Sequence, residues 1–164
     1  MPVRAVARLP DRVLKLVAQE IGETDRRLAE ELTDTMAASP ACVGLAAPQI
    51  GISRRAFALD VSSHPKATVC HGLVVMFDPL IVEAAGREVA REGCMSVPDL
   101  TANVARATRL VVQGRMVDGS IRVISTEGFE ARAFQHEIDH LDGLLILDRV
   151  ASLENDVFQR KVYR

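Results

Sequence analysis

Within His136-Glu137-Ile138-Asp139-His140, two histidines stand four residues apart with a glutamate beside the first. On a helix, positions i and i+4 share one face a turn apart, so two imidazoles at this spacing can hold one metal ion. A divalent metal lowers the pKa of its bound water toward neutrality, and Glu137 stands where a general base for that water is needed. The pattern points to metal-assisted attack of water on a carbonyl. The competing interpretation is a pair of surface histidines on a solvated helix face. The neighbouring residues favour the metal. Residues 130–141 contain neither Pro nor Gly, and Gly143 follows as a stop signal. Phe134, Ile138 and Leu141 form an apolar stripe at i, i+4 and i+7, which sets His136 and His140 at the rim of a core.

A catalytic metal takes a third protein ligand and keeps one position open. Two familiar protease completions fit poorly: residues 141–164 hold a single Glu, Glu154, and the extended H-E-x-x-H-x-x-G-x-x-H pattern has its Gly143 but ends on Ile146. The remaining candidates are His64 and His71, in a loop with Pro65 and Gly72, and Cys94, in Arg91-Glu-Gly-Cys-Met-Ser-Val-Pro98. A lone Cys is most often a small buried hydrophobe. A thiolate, however, is a strong ligand for borderline and soft metals, and Gly93 before it permits close approach of the backbone.

Three segments together carry a resemblance. Cys42-Val-Gly-Leu-Ala-Ala-Pro-Gln49, Glu92-Gly-Cys-Met-Ser96 and His136-Glu-Ile-Asp-His140 resemble, in order, the G-φ-G-φ-A-A-x-Q, E-G-C-φ-S and H-E-φ-D-H motifs of the peptide deformylase family. The second and third match completely, and the first departs only at Cys42. The resemblance extends from about residue 10 to 150. It implies a hydrolase that removes the N-formyl group from the initiator methionine of new polypeptides. It also implies that Cys94, His136 and His140 hold the metal, with Glu137 as general base and proton shuttle. Gln49 and the backbone N–H of Met95 would stabilise the oxyanion, a task for which a side-chain amide and a backbone donor are suited. Val43 and Gly44 would lie along the peptide like an added strand. The family's metal in the cell is usually ferrous iron, and zinc, nickel or cobalt can occupy the same ligand set. Phe129, Ala133 and Ala90 are candidates for the methionine pocket. The implied partners are N-formyl-methionyl nascent peptides, with transient ribosome contact expected from where such chains emerge.

Cys42 stands in place of a glycine, and a φ above zero there would strain it. Thr101 occupies the position where some members place an arginine that holds the substrate backbone. Asp78-Pro79 replaces a frequent Asn-Pro. These departures keep two other functions in view: a related hydrolase for another N-acyl or small formylated substrate, and a non-catalytic homologue that binds peptides or ribosomes. Retention of Gln49, Glu137 and all three candidate ligands weighs against the latter.

The 164 residues (17.9 kDa) suit one domain, 1–164, and 48% apolar content can build a core. Net charge is −2, with no basic stripe for nucleic acid and no apolar run approaching a membrane span. The opening Met1–Pro10 does not read as a signal peptide, and three cysteines do not make a disulfide framework, so a cytoplasmic location is expected.

The elements that must position these residues are expected as follows. Asp11 caps a first short helix carrying Val13, Leu14, Leu16 and Val17 and ending at Gly22. Thr24-Asp25 opens a second, with Leu28, Leu32 and Met36 on one stripe. Residues 55–60, 73–77 and 80–83 read as strands, and 104–117 and 121–125 as a hairpin across Asp118-Gly119. The metal helix starts at Gly128, residues 144–147 form a last short strand, and Ser152 caps a terminal helix to about Gln159. The predicted class is α+β: amino-terminal helices and antiparallel or mixed sheets packed around a central H-E-x-x-H helix.

Overall fold

The computed structural model describes residues 3–160. A five-stranded antiparallel sheet lies between two α-helices, α1 (Arg26–Ala37) and α2 (Gly128–Leu141), and a three-stranded antiparallel sheet closes one side. The larger sheet runs β1 (Gly44–Ala46), β2 (Ala56–Leu59), β3 (Val74–Ala85), β6 (Arg109–Arg115), β7 (Ile121–Glu127) in spatial order. The smaller one runs β4 (Glu88–Cys94), β5 (Val97–Arg106), β8 (Val157–Gln159). This is the α+β architecture read from the sequence.

Strand β2 is buried at all four positions because both its faces are covered. Side chains alternate across a strand. Ala56 and Ala58, with Val75 and Phe77 of β3, face Leu28, Leu32 and Met36 of α1. Phe57 and Leu59, with Val74 and Met76, face Ala131, Phe134, Ile138 and Leu141 of α2. Phe57 and Phe134 meet edge to face at 5.7 Å between ring centroids. The apolar stripe of α2 is thus locked onto a rigid sheet, and its opposite side is presented toward β4 and β5. Asp25 caps α1 by accepting from Leu28 N at 3.0 Å, and the helix ends before Pro40, as its sequence indicates.

Several local expectations are corrected. The first helix is only a 3-10 turn, Arg12–Lys15, capped by Asp11; Leu16 and Val17 are exposed because the chain then runs extended, with Ala18 N donating to Leu141 O. The strands expected at 73–77 and 80–83 form one continuous strand, β3. Asp78 adopts φ +50 and accepts from the N–H groups of Ile21 and Gly22, and a bulge at Pro79 absorbs the residue that cannot donate. The arm expected over 104–117 is divided at Ala107, whose N–H and C=O both bind the Gln135 side chain of α2. The chain there passes from the small sheet to the large one. The hairpin over Asp118-Gly119 does form, with Gly119 at φ +87. Residues 144–147 do not make a strand but lead into a 3-10 turn, Ile146–Asp148. The expected terminal helix is replaced by a turn at Ser152 and by β8, because Leu100–Ala102 of β5 offer a free ladder edge that a helix would leave unpaired. Among the described residues no helix is long and apolar enough to cross a membrane.

Candidate metal centre and active site

Helix α2 presents His136 and His140 one turn apart, with ring centroids 5.0 Å from each other. Cys94 ends β4, where a register shift against β5 turns the chain. Packing α2 against the small sheet brings Cys94 Sγ to 3.4 Å from His140 Nε2. One ligand atom each from Cys94, His136 and His140 lies within 4.8 Å of the others. The remaining candidates for third ligand are not part of this cluster: His71 is held by Glu130, and His64 stacks on Phe129 at 4.0 Å.

A buried charged network orients His136. Glu92 accepts from His136 Nδ1 (2.9 Å), from Arg106 Nε and Nη2 (2.9 and 3.0 Å) and from Arg132 Nη1 (2.6 Å). Asp139 in turn holds Arg106 and Arg149. With Nδ1 engaged by Glu92, the ring of His136 has its Nε2 free to ligate, the usual carboxylate–histidine arrangement behind a metal. Burial opposes charge on Glu92, but the hydrogen bonds from His136 and Arg106 prevail and keep it ionised. Burial likewise opposes ionisation of Cys94. Hydrogen bonds from His136 and His140 overcome it and hold the thiol well below its ordinary range. His136 is shifted upward, since Cys94 and Glu92 outweigh its burial. A compact cysteine-and-two-histidine set with a thiolate already favoured fits one divalent ion.

Glu137 is buried beside this set. Its Oε1 has no hydrogen-bond partner among the described residues, and burial raises its carboxyl above the ordinary range, with His136 and His140 opposing. That is the condition of a base able to take and return a proton. Gly44 permits this placement, because a Cβ at that position would lie 2.5 Å from Glu137 Oε2. Gln49 is oriented at both ends of its amide: Oε1 accepts from Ala46 N at 3.0 Å, while Nε2 donates to Ser96 Oγ at 3.1 Å and points toward Cys94 Sγ at 3.7 Å.

Gly44, Gln49, Cys94, His136 and Glu137 line a cavity of about 330 Å³ together with Val43, Met95, Phe129 and Ala133. Two edge strands border it, β1 of the large sheet and β4 of the small one. Ala90, expected in the methionine pocket, is not in the lining. Arg132 spans from Glu88 O to Glu92 past Ala90 and occupies that ground. Cys42 lines the cavity without a positive φ; the left-handed residue is its neighbour Ala41, at φ +58. The Cys42 thiol donates to Gly44 O, and burial with the nearby Glu137 charge pushes it up to about 11. All three cysteines are free. His64, a ligand candidate from sequence, also lines this cavity, and so do Lys66, Arg91 and Arg160, which the sequence did not single out. Their segments are far apart in the chain and carry no shared spacing that would mark them.

The family model described as polypeptide deformylase matches residues 3–156. A peptide deformylase of Carboxydothermus hydrogenoformans is 42% identical over 156 residues, covering 93% of this chain and 97% of the relative. One from Halothermothrix orenii is 38% identical over 160 residues, covering 96% and 99%. Among solved structures, the class I type b peptide deformylase of Acinetobacter baumannii with Met-Ala-Ser bound superimposes with a TM-score of 0.82 at 34% identity, covering 90% of this chain and 98% of that one. The Thermotoga maritima enzyme gives 0.81 at 36% identity, covering 92% and 99%. With the family model spanning nearly the whole chain and the fold shared throughout, the chain belongs to the peptide deformylases, hydrolases that remove the formyl group from the amino terminus of new polypeptides.

Proposed function

We propose that Cys94, His136 and His140 hold one divalent ion and that Glu137, Gln49 and the Met95 N–H carry out deformylation around it. The observation that carries this reading is the buried Glu137 carboxylate with an unpartnered oxygen beside three convergent ligand atoms. When bound there, such an ion would supply a lowered pKa for water and polarisation of the formyl carbonyl. Glu137 takes a proton from the attacking water and returns it to the departing amine nitrogen, so that formate and a free amino terminus result. Gln49 Nε2 and Met95 N–H donate to the oxygen on which negative charge develops. Removing one such donor lowers kcat by about 10²–10³ in comparable sites.

The methionine side chain packs against Phe129 and Ala133, and the peptide backbone runs along the open edge of β1 at Val43 and Gly44. The Met-Ala-Ser held by the Acinetobacter baumannii relative supports a peptide that begins with methionine. Ferrous iron is the proposed native metal, by resemblance to the family. Zinc, nickel and cobalt suit the same donors, and iron beside a thiolate is the choice most sensitive to oxygen. Residues 1–164 act as a single catalytic domain in the cytoplasm, meeting their substrate as it emerges from the ribosome.

The test is formate release from formyl-Met-Ala-Ser by anaerobically prepared protein loaded with Fe(II), beside Glu137→Ala with its metal content measured. Release by the parent and its loss in the metal-replete variant support the assignment. Undiminished release by that variant overturns the role of Glu137, and equal turnover of N-acetyl peptides overturns the formyl specificity. Phe129→Asp should raise KM for formyl-Met peptides; an unchanged KM removes Phe129 from the pocket.

A further inference from the structure

The chain carries a net charge of −2, yet the side chains at the mouth of its cavity are cationic. Lys66, Arg91, Arg132 and Arg160 all line it, and so do two carboxylates, Glu92 and Glu137. Arg132 is committed to Glu92, which is further neutralised by Arg106 and His136. Lys66, Arg91 and Arg160 remain, and none of them is in an ion pair with a carboxylate among the described residues.

Arg91 is held ready rather than left to wander. Its Nε donates to Asn103 Oδ1 at 3.2 Å, and its guanidinium carbon lies 3.5 Å above the Phe158 ring centre. Both contacts follow from register: Arg91 pairs with Asn103, and Phe158 pairs with Thr101 on the other side of β5. Arg160 follows β8, its N–H bound to Asp99 O, and its guanidinium packs on Gly93, where any side chain would collide with it. Its Nε is buried with no hydrogen-bond partner among the described residues. Lys66 lines the same cavity from a loop whose backbone turns through its N–H donating to His64 Nδ1. Three cations from three segments therefore converge on one opening.

We propose that Lys66, Arg91 and Arg160 determine substrate preference by selecting a carboxylate a few residues downstream of the formyl-methionine. Arg91 is three residues along β4 from Cys94, roughly 10 Å at the rise of a strand. An extended peptide covers the same distance in about three residues. A substrate carboxylate near its third residue then lies among the three cations, and a lysine there meets like charge. The ordered Arg91 side chain loses little freedom on binding, which favours recognition over a mobile surface charge. This proposal rests on the peptide placement given above.

The test uses the metal-loaded enzyme and amide-blocked peptides formyl-Met-Ala-Ala-Ala in which Glu, Gln or Lys replaces the second, third or fourth residue in turn. Formate release from the Gln peptides checks the hydrolytic reading separately. The expected result is a Glu-over-Lys preference of about tenfold in kcat/KM near the third position, lodged in KM and reduced by salt. In the Lys66→Gln, Arg91→Gln, Arg160→Gln triple variant the ratio should fall toward one. A ratio is read within each protein, so a partly misfolded preparation does not imitate the result. Comparison of formyl-Met-Ala-Ser acid with its amide distinguishes a side-chain carboxylate from the chain's own terminal one. Equal rates for Glu and Lys at all three positions overturn the preference while leaving deformylation intact. A preference that survives in the triple variant overturns its assignment to these residues.

Discussion

On the side of α2 facing the large sheet, Phe134, Ile138 and Leu141 meet Phe57, Met76 and Ile124 in a dry contact that any well-shaped apolar neighbour could supply. On the side facing the small sheet, Arg132, His136 and Asp139 join Glu92, Arg106 and the half-exposed Arg149 in a largely buried network where each charge has a designated partner. The dry side sets where the helix lies. The polar side sets which way His136 points. Dispersion and burial are non-directional and fail gradually, whereas a buried ion pair that loses one member strands the other.

The most severe test of this contrast is Glu92→Ala. It leaves Arg106 and Arg132 buried without their shared carboxylate, and such losses cost about 3–5 kcal/mol. The freed His136 ring should also lower metal affinity by about 10–100-fold. Urea denaturation with a parallel metal titration checks both, and a variant that keeps normal metal affinity would break the link between network and ligand. Glu137→Gln comes next: with Glu137 as the proposed base, kcat should fall by about 10²–10⁴, with metal content and melting temperature nearly unchanged because its carboxylate takes no part in the network. Steady-state kinetics on metal-replete protein decide it. Gly44→Ala should lower kcat by at least about tenfold through displacement of Glu137, since a shift of the base by a fraction of an ångström already disturbs proton transfer. Retained activity would show that the carboxylate has room the structure does not indicate. On the dry side, Ile138→Val should cost only about 0.5–1.5 kcal/mol and leave metal binding untouched.

The smallest effect sharpens the same contrast at α1, where a charged pair is only partly shielded. Arg4 and Arg27 bind Glu31, and the hydrogen bond from Arg4 lowers the Glu31 carboxyl below its ordinary range. A depressed folded-state pKa adds stability above the unfolded value of about 4.3, and that stability is lost as pH falls through the folded value. The stability gap between the parent and Glu31→Gln should therefore be present at pH 6 and shrink toward pH 3. A gap that is unchanged between those pH values in urea melts would show that the pair contributes nothing through ionisation.

Local signals explain what could be foreseen. Asp25 and its helical stripe, the Asp118-Gly119 turn and the start of α2 at Gly128 are all encoded within a few residues, and each is found. The carboxy-terminal segment shows the opposite. Residues 152–159 carry a capping serine and no strong alternation, and the vacant edge of β5, some fifty residues earlier, decides that they pair as β8. Proline at 79 read as a strand break, but Asp78 tolerates the left-handed region and the bulge lets β3 continue.

By itself, then, the sequence determined the chemistry on offer. A histidine pair at helical spacing, a thiol after a glycine and a glutamate beside the first histidine are stated in adjacent residues, because helix geometry converts spacing directly into a shared face. Only the tertiary structure decided how those groups are held and what surrounds them. That Glu92 aims His136 while binding Arg106 and Arg132, that Ala90 yields its place to Arg132, and that Lys66, Arg91 and Arg160 meet at one opening all depend on strand pairing between distant segments. Ion pairs and cavity walls have no period along a chain. They exist only once the sheets bring their members together.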